Sequence, residues 1–289
     1  MNQRQAITAD LALRVPPQAW FVVSAVFHYL GPAFAALLFA QVGVLGVAWF
    51  RIASAAVVFA LWIKPWRLLR VASRETLILL VLLGGCLAVM NSSFYLAIAR
   101  LPLSLVATIE FLGVLVLALA GLRTARNYSA VALAAAGVLL QTQLHWSSDP
   151  LGLAFAGVNA LLFMGYIVLG HRIARTGAAD GVERLGAAMV IAFIAIMPIG
   201  LSEALPALRN PLLVLAGVGV GICSSVIPYV CDQLAMARLP RNSFALMLAL
   251  LPATATIIGA IVLKQVPGVH ELAGVGLVMA GIILHRPSG

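Results

Sequence analysis

The segment YLAIARLP occupies residues 95–102, and QLAMARLP occupies residues 233–240. Six of their eight positions are identical, an agreement that Leu- and Ala-rich sequence can produce by chance. Position gives it weight, because each copy closes the third apolar run in a set of five. A second correspondence lies in the same order: RIASAAVVFALWIKP (Arg51 to Pro65) aligns with RLGAAMVIAFIAIMP (Arg184 to Pro198). The two offsets, 138 and 133 residues, are nearly equal and point to a duplicated unit.

The apolar runs themselves set the fold class. The chain has 289 residues, 63% of them hydrophobic and only 9% charged, with a mean hydropathy of +1.09. That is more apolar surface than a soluble core of this size hides. About 20 apolar residues at a rise of about 1.5 Å span the hydrocarbon layer. Ten such runs are predicted, at 18–40, 43–63, 76–98, 102–122, 129–145, 150–171, 186–203, 211–236, 242–263 and 269–285. Lipid offers backbone amides no partner, and the runs lack the alternating polar residues of a barrel, so each reads as a helix. The expectation is an all-α polytopic membrane protein with ten transmembrane helices.

The net charge of +9 does not call for nucleic acid, since the basic residues are scattered between the spans rather than gathered on a soluble face. With a cytoplasmic N-terminus, 14 Lys and Arg residues fall on the cytoplasmic side and 3 (Arg100, Arg209 and Lys264) on the other. This asymmetry predicts that both termini are cytoplasmic. The first apolar run is too long for the core of a cleaved signal peptide and is read as a retained helix. Cys86, Cys223 and Cys231 all fall inside spans and read as small buried hydrophobes.

Five spans per copy is an odd number, so the second copy must enter the membrane from the opposite face. An inverted pair of bundles suits alternating access about a site near the midplane. No HExxH, GxSxG, Walker loop or Gly-rich dinucleotide turn is present, so neither an enzyme nor an ATPase is expected. His28, His145, His171, His270 and His285 are dispersed, and neither a metal site nor a cofactor is expected.

Four stretches, GVAWFRIASAAVVFALWIKPWRLL (46–69), NSSFYLAIARLPLSLVATIEFLG (91–113), YIVLGHR (166–172) and SVIPYVCDQLAMARLPRNSFALMLALLPATATIIGAIVLKQ (225–265), together resemble the EamA-type drug/metabolite transporter superfamily. Within it the chain is similar to bacterial exporters of threonine/homoserine and of aromatic amino acids. The resemblance implies a 5+5 inverted repeat, with residues 1–146 as the first unit and 147–289 as the second. It further implies a central cavity and export of amino acids and related small metabolites across the bacterial inner membrane, the partners being the substrate and the lipid bilayer. The alternative is efflux of drug-like or lipophilic cationic compounds. Many relatives carry an acid before the proline of the ninth helix and a GE pair at its outer end. Here those positions read Leu251-Pro252 and Lys264-Gln265, which removes those acids from any proton-coupling scheme.

Ionisable groups inside spans are costly and invite a functional reading. Arg51 and Glu110 each lie about eight residues from the outer end of a helix, roughly 12 Å deep at about 1.5 Å per residue. Equal depth allows an ion pair that merely clamps two helices, or a cavity that offers opposite charges to a zwitterion. Asp232 lies near the inner end of the eighth span and close to Arg238, where a salt bridge at the surface is expected. The expected substrate-binding set begins with His28 and Tyr29 on the first span and Asn91, Ser92 and Tyr95 on the third. Thr108, Glu110 and Phe111 follow on the fourth and Asn159 and Tyr166 on the sixth, with Ser224, Ser225, Tyr229 and Gln233 on the eighth. Asn91 with Tyr95, and Ser225 with Tyr229, are four residues apart and share helix faces that would meet across the repeat axis. The competing expectation is that hydroxyls bond back to their own helices and His28 serves packing. Gly31-Pro32, Pro228 and Pro252 are candidate hinges, whereas Gly217 with Gly221 and Gly84-Gly85 read as close-packing positions.

Overall fold

The computed structural model describes residues 14–119, 124–142, 149–175, 177–248, 250–264 and 266–284. Every regular element among them is helical. In order they are α1 (Pro17–Val42), α2 (Val44–Ile63), α3 (Trp66–Val71), α4 (Arg74–Ile98), α5 (Leu103–Leu119), α6 (Ala125–Thr142) and α7 (Pro150–Ala174). After α8 (Ala178–Ala204) come a 3₁₀ turn (Ala207–Arg209), α9 (Pro211–Gly221), a π-helical segment (Ile222–Val226), α10 (Ile227–Met236), α11 (Arg241–Met247), α12 (Leu250–Val262) and α13 (Val269–Leu284). Among the described residues seven helices are long and apolar enough to cross a membrane. Two of them merge shorter pieces, Pro211–Met236 and Ser243–Val262. The chain is a multi-span membrane protein.

Local chemistry sets the helix ends. Ser73 accepts a hydrogen bond from the Thr76 amide, Asp149 from Gly152 and Asn210 from Leu212, so α4, α7 and α9 each begin on a side-chain cap. Pro150 and Pro211 sit in the first turns, where no amide is needed. The carboxylate of Asp149 lies below its ordinary range because it accepts the Gly152 amide and, secondarily, pairs with Arg100 at 3.1 Å. Helix α2 is capped from outside: Glu203 Oε2 accepts the amides of Leu45 and Gly46 at 2.9 and 3.1 Å. The seventh apolar run proves longer than expected, since α8 starts at Ala178 and carries Asp180, Glu183 and Arg184 in its first turns.

At two prolines the missing amide perturbs the local helical hydrogen bonding. Pro252 leaves the Leu248 carbonyl without its usual donor, and Leu251 N takes it at 2.9 Å. Pro228 follows the π segment. Pro32 and Pro198, in contrast, lie inside continuous helices.

The distribution of polarity is that of a protein dissolved in lipid. Leu61, Leu215 and Ile194 are 72%, 69% and 66% exposed, whereas Arg51 and Glu110 are each 2% exposed. Glycines let the helices approach. Gly186 of α8 lies against Ile63 and Phe59 of α2, and Gly281 of α13 lies against the backbone of Ala130 and Ala134 on α6. Gly84 packs on Ala188 and Ile191 of α8, but Gly85 has nothing within 4 Å, so only one of that pair is a packing glycine. Gly217 and Gly221 seat α9 on α2 at Phe50 and Ser54. A β-carbon at Gly221 would stand 2.5 Å from Ser54 Cβ and 3.0 Å from the Arg51 carbonyl, whereas Gly219 has open space. Gly221→Val is therefore expected to cost about 1–3 kcal/mol through overpacking. Thermal melts in detergent should show it as a fall of a few degrees, with Gly219→Ala unchanged.

The repeated octapeptide forms the same corner twice. Ala99, Arg100 and Leu101 donate to the carbonyls of Tyr95, Ala97 and Ala97 at 3.0, 3.0 and 2.8 Å. Ala237, Arg238 and Leu239 donate to Gln233, Ala235 and Ala235 at 3.0, 3.1 and 2.9 Å. Pro102 and Pro240 then open the following helices, and Leu101 and Leu239 are both buried.

Candidate functional site

Helices α1, α2, α4, α5, α7 and α10 converge on a pocket lined by His28, Arg51, Met90, Asn91, Phe94, Glu110, Asn159 and Tyr229. Its cavity volume is about 10 Å³, the room that about one water needs. One cation and one carboxylate line this small space. The ion pair between Arg51 and Glu110 that equal depth allowed is not formed, because each side chain is held by other partners.

Glu110 on α5 is fixed by the two helices that flank it. Tyr29 of α1 donates its hydroxyl to Oε2 at 3.0 Å, and Asn159 Nδ2 of α7 donates to Oε1 at 3.1 Å. Asn159 keeps Oδ1 buried and without a partner among the described residues.

Arg51 is held through a defect in the opposite wall. Pro228 has no amide to give the carbonyl four residues before it, which is that of Ser224. Arg51 Nη2 donates to that carbonyl at 2.7 Å, and Nε donates to Ser225 Oγ at 2.9 Å. The π-helical turn at Ile222–Val226 is where these groups turn towards α2. The guanidinium also lies 5.3 Å from the centre of the Tyr95 ring and 5.9 Å from that of Tyr229, within cation–π range. Arg51 is consequently a structural clamp between α2 and the kinked helix as well as part of the pocket wall.

Asn91 links α4 to α10. Its Oδ1 accepts the Tyr229 hydroxyl at 3.1 Å and its Nδ2 donates to the Leu87 carbonyl at 2.6 Å, so the two polar faces do meet. His28 packs against the rings of Tyr29, Phe163 and Tyr229. Tyr166 lies 5.2 Å from Tyr229 and 5.9 Å from Phe163, ring centre to ring centre, which makes an aromatic layer beside the pocket.

Several of the expected residues lie elsewhere. Ser92 bonds back to the Ala88 carbonyl at 2.8 Å, and the Ser224 hydroxyl to Val220 at 2.5 Å. Phe111 is 1% exposed within the apolar core and does not line the pocket. Gln233 is buried beside Gly170 and Gly181. The Thr108 side chain lies outside the described residues.

Asp232 requires a correction. It is 2% exposed, its Oδ1 accepts Ser24 Oγ at 2.5 Å and its Oδ2 accepts the Tyr166 hydroxyl at 2.8 Å. Arg238 turns away and donates to the Val15 carbonyl at 2.6 Å. Distance along the sequence from the helix end suggested a surface position, but α1 and α7 cover that face of α10. Met90, Phe94 and Phe163 are also additions that the sequence did not single out. Met90 precedes Asn91, while Phe94 and Phe163 follow Asn91 and Asn159 at helical spacing, a signal indistinguishable from ordinary core pattern.

The matches to known proteins agree with this architecture. Residues 150–286 match the model of the EamA-like transporter family. The threonine/homoserine exporter RhtA of Salmonella typhimurium (strain SL1344) is 32% identical over 263 residues, covering 87% of this chain and 85% of that protein. RhtA of Escherichia coli (strain K12) is 32% identical over 86% of this chain and 84% of its own length. A solved crystal structure of a protein shares the fold, with a TM-score of 0.62 at 17% identity over 92% of this chain and 96% of the other. On the identity and coverage of these relatives, the chain belongs to the EamA-like transporter family.

Proposed function

We propose that this protein exports amino acids, threonine and homoserine among them, across the bacterial inner membrane by alternating access. The observation that carries the reading is the pocket that Arg51 and Glu110 both line, each bonded to its own neutral partners and not to the other. A zwitterion carries the two complementary charges. The names of the relatives, threonine/homoserine exporters, supply the substrate class.

The halves would be residues 1–146 and 147–289, five spans each, with both termini cytoplasmic. Reciprocal packing supports an inverted repeat. Helix α2 packs on its counterpart α8, α6 on α13, and α5 on α11 and α12. The contact of α4 with α7 is mirrored by that of α10 with α1, and α5 on α7 by α12 on α1. A two-fold axis between halves generates such reciprocity. The pocket's size supports movement: an amino acid does not fit in the space of one water, so its walls must part to admit one.

Counterflow in liposomes preloaded with unlabelled threonine tests the reading, with external labelled threonine, homoserine, phenylalanine and a lipophilic cation as separate arms. Saturable uptake of the amino acids is expected. Uptake of the cation alone would move the assignment to drug efflux, and no uptake beyond that of protein-free vesicles would end it.

A further inference from the structure

We propose that Asp232 is a proton-binding site separate from the pocket, and that its protonation is coupled to transport through α1 and α7. The inference rests on the transport reading above.

The geometry is that of a carboxyl group without a counter-ion. Asp232 is buried, its two oxygens meet the hydroxyls of Ser24 and Tyr166, and no basic side chain forms an ion pair with it among the described residues. From α1 it faces Ser24, with His28 one turn further; from α7 it faces Tyr166. Its own helix adds Cys231 and Tyr229. Helix α8 reaches α10 beside Gln233, at Gly181. The other titratable and charged groups at this end of the elements packed on α10 are His171 and Arg172 of α7, Asp180, Glu183 and Arg184 of α8, Arg238 just past α10 and Arg241 of α11, and among the described residues none of them is a hydrogen-bond or ion-pair partner of the Asp232 carboxyl group. Two neutral donors stabilise an anion in a lipid-embedded bundle far less than a cation would, so proton uptake is the available way to neutralise this site.

Proton uptake has a mechanical consequence. The proton arrives from the aqueous phase to which movement of the helices opens the site during transport, and one carboxylate oxygen becomes a hydroxyl. That oxygen can then donate and accepts more weakly than a carboxylate oxygen, so the bond from Ser24 or from Tyr166 weakens or reverses. Ser24 lies five residues before Tyr29 on α1, and Tyr166 lies seven residues after Asn159 on α7. Tyr29 and Asn159 are the two donors that hold Glu110. The same pair of helices therefore holds both carboxyl groups, and loosening one grip changes the register at the other.

The experiment uses the full-length protein in liposomes, with labelled threonine and two readouts: counterflow at equal pH, and accumulation driven by an imposed gradient of one pH unit. For the wild type, one proton exchanged per substrate gives up to about tenfold accumulation. In Asp232→Asn, counterflow should continue while gradient-driven accumulation disappears. Retained accumulation in Asp232→Asn, or a wild type that counterflows but ignores the gradient, overturns the proposal. Absence of wild-type counterflow removes the transport reading and this inference with it. Should Asp232→Asn fail to fold, Ser24→Ala decides the matter. It keeps the carboxyl group but removes a donor to its anion, so the pH for half-maximal threonine binding should rise by about half a unit or more. An unmoved midpoint overturns the proposal.

Discussion

Glu110→Gln is expected to weaken threonine binding about 10- to 100-fold while leaving the fold intact. The change removes a charge and almost no volume. Asn159 has a buried Oδ1 without a partner among the described residues, so its amide can rotate to accept from the NH2 group that the substitution introduces, while Tyr29 still donates to the remaining oxygen. The melting temperature should stay within a degree or two. The loss at the substrate ammonium is that of a charge-assisted bond, about 1.5–3 kcal/mol, which corresponds to the stated range of affinity. Isothermal titration in detergent measures it. A threonine analogue without its ammonium group should bind both forms equally, and an unchanged threonine affinity in Glu110→Gln would remove this residue from the substrate site.

Arg51→Ala should give the largest loss of stability among the pocket variants. It strips the donor from the Ser224 carbonyl, which Pro228 has already deprived of its helical partner, and from the Ser225 hydroxyl. A buried carbonyl left without a donor costs about 1–3 kcal/mol. Pro228→Ala supplies the missing amide and so provides an internal test. In that background Arg51→Ala should cost less, with a coupling of about 1–3 kcal/mol in a double-mutant cycle. Additive losses would show that the arginine and the proline are not a unit. Arg51→Lys should rescue little, because a single ammonium cannot serve the carbonyl and the hydroxyl with the fixed geometry of a guanidinium.

The assignment of Arg51 shows where sequence reading stops. Its burial in a span flagged it, and Pro228 flagged a kink, but the two lie 177 residues apart and only the fold joins them. The same holds for Asp232. Its position four residues from the end of α10 suggested the surface, and the structure buries it under Ser24 and Tyr166. Glu110, Asn91, Asn159 and Tyr229 were legible as polar residues inside apolar runs, because lipid makes such residues expensive wherever they fall. Ser92 and Phe111 were equally legible and lie outside the pocket lining, since spacing along a helix does not say which neighbour covers a given face.

The sequence by itself determined that this chain is helical and lies in a membrane, and it marked the corner at 95–102 and 233–240 that the fold builds twice. Those properties follow from local terms: run length against bilayer thickness, backbone hydrogen bonding without water, and turn chemistry. Only the tertiary structure decided which polar groups satisfy one another, placing Glu110 between Tyr29 and Asn159 and Arg51 on the carbonyl that Pro228 leaves free. Partner choice among buried polar groups depends on helix rotation and crossing, which arise from packing across the whole bundle and are written in no single segment.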